Sequence, residues 1–421
     1  MFDKIIPRSE FTKNVLTVLA GTTLAQAVPL LISPILTRLF TPEDFGVFFL
    51  FTALLAVLSV GATAKYELAI LLPEKDEDAV NILALVCLIS LIASGALLVV
   101  ILLFKDAIQN LLEDNSSGTW LYILPLSLLL AGVLQGFSYW SNRKKRFAEL
   151  SASKVGQSSV TGTSNLAIGY SSASGVGLIF STVLGQLTNI AVLVRGFMKN
   201  DRSVVACVNN KTMSEQAKRY GTFPKTMVLA NIFNISAMQL PNILLLPMFG
   251  AQFLGLYALS QRVVKIPLTV MGNAYGEVFK QRAAEYAAQG KDIKPLLWRS
   301  LVFLALISLP FFVVFYLFAP SLFAFIFGDE WRLSGDYAKI LTPYFYLAFV
   351  TAPLTHLFYI LERTSIYLLI QGLLLCSILI GLYYAQSIGS APETIVAVLS
   401  ATYAVIYLVM IGVLTLSPGK K

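Results

Sequence analysis

Of the 421 residues, 57% are hydrophobic and only 13% are charged, about half the charged share of an ordinary soluble protein. A mean hydropathy of +0.74 excludes a water-soluble globular chain. The net charge of +8 is therefore informative through its placement along the chain, not as a sign of nucleic acid. Apolar runs long enough to cross a bilayer recur from end to end, so a polytopic all-α membrane protein without an appended soluble domain is expected.

The first run follows Lys4, Arg8 and Lys13 and contains Ala25-Gln26-Ala27, a pattern shared with cleavable signals. It continues unbroken to Leu36, and is read as an uncleaved first span. Spans are predicted at 13–36, 44–72, 77–104, 118–141, 149–170 and 174–197. A polar linker follows, and further spans are predicted at 224–247, 252–276, 295–318, 337–361, 366–387 and 392–416. The expected organisation is an N-terminal lobe over 1–198, a cytoplasmic linker over 199–223 and a C-terminal lobe over 224–421. Twelve helices would then form two six-helix lobes.

Lys and Arg crowd the segments that an inward N-terminus places in the cytoplasm: "NRKKRF" at 142–147, the linker, and 280–299. The opposite segments hold Arg38, Lys105, Arg332 and Lys339. Both termini are expected to face the cytoplasm. The basic run is read as a topology signal that meets anionic lipid, and "SEQAKRYGTFPK" as an interfacial helix. The halves also echo each other. Gln26, Pro29, Pro34, "FGVF" and Glu67 in the first are matched in order by Gln239, Pro241, Pro247, "LGLY" and Glu277 in the second.

Ionisable residues inside the spans are costly, by about 2.5–3.5 kcal/mol each on insertion scales, and so usually face protein or water. "GATAKYELAILLPEK" puts Lys65 and Glu67 inside the second span, with Lys65 about 12 Å before Pro73 on a helix. Two residues apart on a helix, they are expected to point to different sides without pairing. Arg262 and Lys265, three apart in "SQRVVKIP", share a face and read as a cavity-facing anion site. Arg38 reads as an interface anchor or the guard of a cavity mouth, and Lys154 as snorkelling to the cytoplasmic surface. The helix around "SASKVGQSSVTGTSN" either packs closely through small residues or lines a wet chamber. His356, the single histidine, reads as a packing residue, with a proton relay as the alternative.

"SPILTRLFTPEDFGVF", "YELAILLPEKDEDAVNI", "GLYALSQRVVKIPLTVMGNAYGEVF" and "FGDEWRLSGDYAKIL" together resemble the polysaccharide-biosynthesis branch of the MOP (multidrug/oligosaccharidyl-lipid/polysaccharide) exporters. The Wzx-type O-antigen flippases are the particular resemblance. It implies two lobes around a central cavity, alternating between inward- and outward-open states in a bacterial inner membrane. It also implies a cargo of oligosaccharide on undecaprenyl pyrophosphate, moved from the inner to the outer leaflet. Membrane lipids and a polysaccharide assembly machinery are the partners implied, without nucleic acid. On this reading Arg262, Lys265, Lys65 and Arg38 meet the anionic head group, and the charged pair in the second span is tolerated because that helix lines water. Glu67 and Glu277 are candidates for coupling to a proton or sodium gradient, with an ion pair to another helix as the alternative for Glu67. No cofactor is expected, and no G-x-x-x-x-G-K-[ST] sequence for ATP is present. Relatives that move the peptidoglycan precursor place basic residues in the first helix, whereas this chain has none between Lys13 and Arg38. A multidrug or toxin antiporter of the same superfamily is the rival reading; a membrane glycosyltransferase, a polymerase or a scaffold is a more distant one.

Overall fold

The computed structural model describes residues 10–112, 118–361, 363–389 and 391–416. Among these residues ten helices are long and apolar enough to cross a membrane. The chain packs as two compact units, Met1–Ile235 and Ser236–Lys421.

In the first unit α1 (Glu10–Leu39) is followed by α2 (Pro42–Ala62), and a 3-10 segment over Tyr66–Leu71 leads into α3 (Asp76–Leu112). Then come α4 (Ile123–Arg143), α5 (Phe147–Ser172), α6 (Gly175–Asn200) and the short α7 (Asn210–Arg219). The start of α2 explains "TPEDFG". Thr41 caps the helix by accepting the Asp44 amide at 3.2 Å, and the Thr41 amide donates back to Asp44 Oδ2 at 3.0 Å. The other carboxylate oxygen, Oδ1, accepts the amide of Gly175, the first residue of α6, at 2.7 Å. A Cβ at Gly175 would lie 2.7 Å from the Asp44 carbonyl oxygen, so only glycine fits this approach. One carboxylate thus ties two helix starts together. Asp44→Ala is expected to cost about 1–2 kcal/mol, read as a lowered thermal midpoint; an unchanged midpoint would show that the tie is idle.

The polar helix α5 is not among the ten apolar ones. Three of its polar side chains bond to neighbouring helices. Ser151 donates to the Thr17 carbonyl at 2.9 Å, Ser158 donates to the Ala25 carbonyl at 2.7 Å, and Gln157 accepts from the Asn189 amide at 2.6 Å. Close packing between α1 and α6 is therefore the arrangement found. Lys154 is exposed and donates to Thr22 Oγ1 at 3.4 Å.

The expected interfacial helix is displaced. Helix α7 ends at Arg219, and Tyr220 already leads into α8. Met213 and Ala217 of α7 pack onto the core formed by Ile82, Val86, Trp140 and Phe197. Asn81 of α3 pins the linker by donating to the Cys207 carbonyl at 3.0 Å and accepting the Asn209 amide at 2.8 Å. The apolar side of α7 is thus turned to protein, at Met213 and Ala217.

The second unit takes the later part of α8 (Thr222–Ala288) together with α9 (Lys294–Phe327), α10 (Arg332–Thr351), α11 (His356–Ile360), α12 (Thr364–Ser387) and α13 (Pro392–Leu416). The sequence predicts two spans where α8 runs. The helix is interrupted within it at Gly250, whose φ of 81° only glycine adopts without strain. Phe312 and Tyr346 meet edge to face at 5.6 Å, and Ser400 donates to the Ile340 carbonyl at 2.8 Å, binding α9, α10 and α13.

Candidate functional site

Each unit holds ionisable side chains that the sequence places inside spans, Lys65 and Glu67 in the first and Arg262 and Lys265 in the second. In the first unit the second span is not one continuous helix. Helix α2 stops at Ala62, whose carbonyl accepts the Ser90 hydroxyl at 3.1 Å. Ala64 and Lys65 then take left-handed conformations, with φ of 49° and 62°. This overturns the expected separation of Lys65 and Glu67. The reversal folds the two side chains toward each other, and Lys65 Nζ lies 3.4 Å from Glu67 Oε1. Glu67 is 1% exposed, and its Oε2 accepts no hydrogen bond among the described residues. Half of a buried carboxylate is paired and half is not.

The turn is fastened from the C-terminal end of α4. Arg143 donates to the carbonyls of Ile70 at 3.2 Å, Pro73 at 2.6 Å and Glu74 at 3.2 Å, and to Asp76 Oδ1 at 3.0 Å. Lys144 bonds Asp76 Oδ2. Arg146 pairs with Asp201 at 2.8 Å, and Asp201 also accepts the Trp140 indole N–H at 2.8 Å. The basic run at 142–147 therefore holds loops of the protein together, beyond any part in topology.

In the second unit a cavity of about 350 Å³ opens between α8, α10, α12 and α13. Its walls include Lys265, His356, Gln371 and the tyrosines 344, 403 and 407. Lys265 bonds the amide oxygen of Gln261, one turn earlier on α8. Tyr344 stacks on Tyr403 at 4.5 Å and on Tyr407 at 6.0 Å. His356 sits against Gly276, where a Cβ would come within 3.5 Å of Nε2. It is thus both packed and on the cavity wall.

Of the sequence-predicted residues, Lys265 lines this cavity; Arg262, half-buried on the same helix, is not among its described walls. Lys65 and Glu67 are brought together in the first unit. Arg38 is exposed in the last turn of α1, and the side chain of Glu277 lies outside the described residues. The tyrosines and Gln371 were not singled out from the sequence. The spacing of Tyr403 and Tyr407, four apart on one helix face, was the available signal.

Helical bundles of this length are found in solved transporters. An inward-facing multidrug resistance MATE family transporter of the MOP superfamily superposes with a TM-score of 0.71 at 13% identity, covering 92% of this chain and 93% of that one. The lipid II flippase MurJ in an inward closed conformation gives 0.72 at 12% identity, covering 94% of this chain and 86% of that one. A MOP superfamily transporter from Pyrococcus furiosus gives 0.57 at 16% identity, covering 96% of this chain and 97% of that one. The fold is the multi-pass membrane fold seen in these MOP-superfamily transporters. A family profile described as polysaccharide biosynthesis protein matches residues 35–335, and the chain belongs to that family. None of the curated proteins compared with the chain matches it.

Proposed function

We propose that this protein is a flippase that moves undecaprenyl-pyrophosphate-linked oligosaccharide from the inner to the outer leaflet of a bacterial cytoplasmic membrane. Twelve helices in two six-helix lobes, over 1–198 and 224–421 and joined through a cytoplasmic linker, would work by alternating access. Both termini face the cytoplasm on this reading. The observation that carries it is Lys265, a cation on the wall of a largely apolar cavity within a membrane fold, in a chain of the polysaccharide biosynthesis family. A pyrophosphate needs such partners to leave water. Lys265 and Arg262 supply them in the second unit, and Lys65 and Arg38 in the first. Glu67, buried with one oxygen unpartnered, is the coupling carboxylate for a proton or sodium ion, with Glu277 at the related position.

The test is reconstitution into vesicles with fluorescent lipid-linked oligosaccharide. The double variant Arg262→Ala/Lys265→Ala is expected to slow leaflet exchange about tenfold or more, the loss of a few kcal/mol of charge-assisted contact, with unchanged expression. Full exchange by that variant would remove the site. Glu67→Gln is expected to abolish the dependence of exchange on an imposed pH or sodium gradient, and an unaltered dependence would leave Glu67 as a structural ion pair. The likeness to a MATE transporter supports an antiporter of organic cations as the second reading. Export of a cationic dye without lipid exchange would select it.

A further inference from the structure

The cavity of the second unit offers more than a cation. Tyr344 and Tyr403 are each 7% exposed and close one wall with stacked rings. Tyr407 extends the stack and is only half-buried, so part of its ring is left to the cavity. Lys265, His356 and Gln371 add an ammonium, an imidazole and an amide to the same space. A bare lipid chain would cover the apolar part of the lining, which includes Leu268, Phe349 and Met410, but would offer no hydrogen bond to Lys265, His356 or Gln371. A bare phosphate would make no use of a tyrosine face. A pyranose ring suits both, because it has a flat side of C–H groups and a rim of hydroxyls. The volume of about 350 Å³ lies at the lower end of small-molecule pockets, which suits a fragment of a cargo.

We propose that this cavity is a saccharide subsite that holds one pyranose ring bearing an anionic substituent, the ring on Tyr407 and the anion at Lys265. His356 and Gln371 hydrogen-bond the hydroxyl rim. This deepens the flippase reading and rests on it. The anion has two sources, the carboxylate of a uronic acid within the oligosaccharide or the phosphate of the first, lipid-linked sugar.

The experiment uses the full chain in lipid nanodiscs with water-soluble probes and no lipid-linked cargo. Saturation-transfer NMR and calorimetry are run with glucuronic acid, glucose 1-phosphate, glucose and inorganic pyrophosphate. Saturable binding is expected for glucuronic acid or glucose 1-phosphate, and the one that binds identifies the source. Tyr407→Leu, which keeps bulk but removes the flat ring, is expected to weaken that binding about tenfold, while Tyr407→Phe retains it. Lys265→Gln is expected to reduce the preference over glucose. Pyrophosphate binding that ignores Tyr407→Leu, with neither sugar bound, would leave an anion site only and overturn the subsite. So would the absence of binding by every probe to folded protein. Because binding is read without translocation, sugar binding with no leaflet exchange would sink the flippase reading and leave the subsite standing.

Discussion

Lys65→Ala is expected to lower the thermal midpoint of the purified protein by about 10 °C. Glu67 is buried, and Lys65 Nζ, 3.4 Å away, is its one ion-pair partner among the described residues. Removing one member of a buried pair leaves the other charge uncompensated, at a cost of about 3–5 kcal/mol. For a unit of this size that corresponds to roughly 2–4 °C per kcal/mol. The control is the double variant Lys65→Ala/Glu67→Gln, which removes both charges and is expected to recover most of the loss. A full double-mutant cycle gives the coupling. Equal midpoints for all four proteins would show that the two side chains do not interact. The cycle also bears on function. A carboxylate held by one oxygen, in a turn with two left-handed non-glycine residues, is stabilised by its surroundings and not by local preference. Such a group is suited to exchanging partners; under the proposed function the cargo anion would draw Lys65 away and a cation would replace it at Glu67.

The membrane class, the placement of most spans and the polysaccharide-biosynthesis family are legible in sequence because they depend on run length and on motifs in order. What was not legible depended on tertiary contacts. Hydropathy across 44–72 is continuous, and Ala64 and Lys65 carry no glycine signal, so the break after Ala62 is invisible in sequence. The Lys65–Glu67 pair went unseen with it. Helix α5 is the converse case. Its serines and amides lower its apolarity below that of the other spans, yet three of them bond to α1 and α6, and sequence could state only that packing or a wet chamber would absorb them. In the second unit Lys265 was found from its charge alone. Tyr344, His356, Gln371 and Tyr407 come from separate segments, and only folding brings them around one cavity.

Arg143→Lys is expected to be as damaging as removing the side chain. The substitution keeps the positive charge, so a residue serving topology alone would tolerate it. Arg143 does more than carry charge: Nε reaches Asp76, Nη1 reaches the carbonyls of Ile70 and Pro73, and Nη2 reaches that of Glu74. A planar fork of donors makes these bonds at once, whereas an ammonium on a flexible stem does not span them. Each abandoned acceptor in this partly buried place costs about 1–3 kcal/mol. The loss falls on the segment after α2, so its first sign is local opening and not global unfolding. Lys75 is exposed in that segment and reports the opening as a trypsin site. Cleavage after Lys75 is expected to accelerate about tenfold or more in Arg143→Lys, in proportion to a loss of at least 1.4 kcal/mol in the closed state. Asp201→Asn, which weakens the neighbouring clamp on Arg146 and Trp140, should destabilise the start of α5 without exposing Lys75. Wild-type cleavage rates in Arg143→Lys would mean that the turn holding Lys65 and Glu67 keeps its shape without the arginine fork.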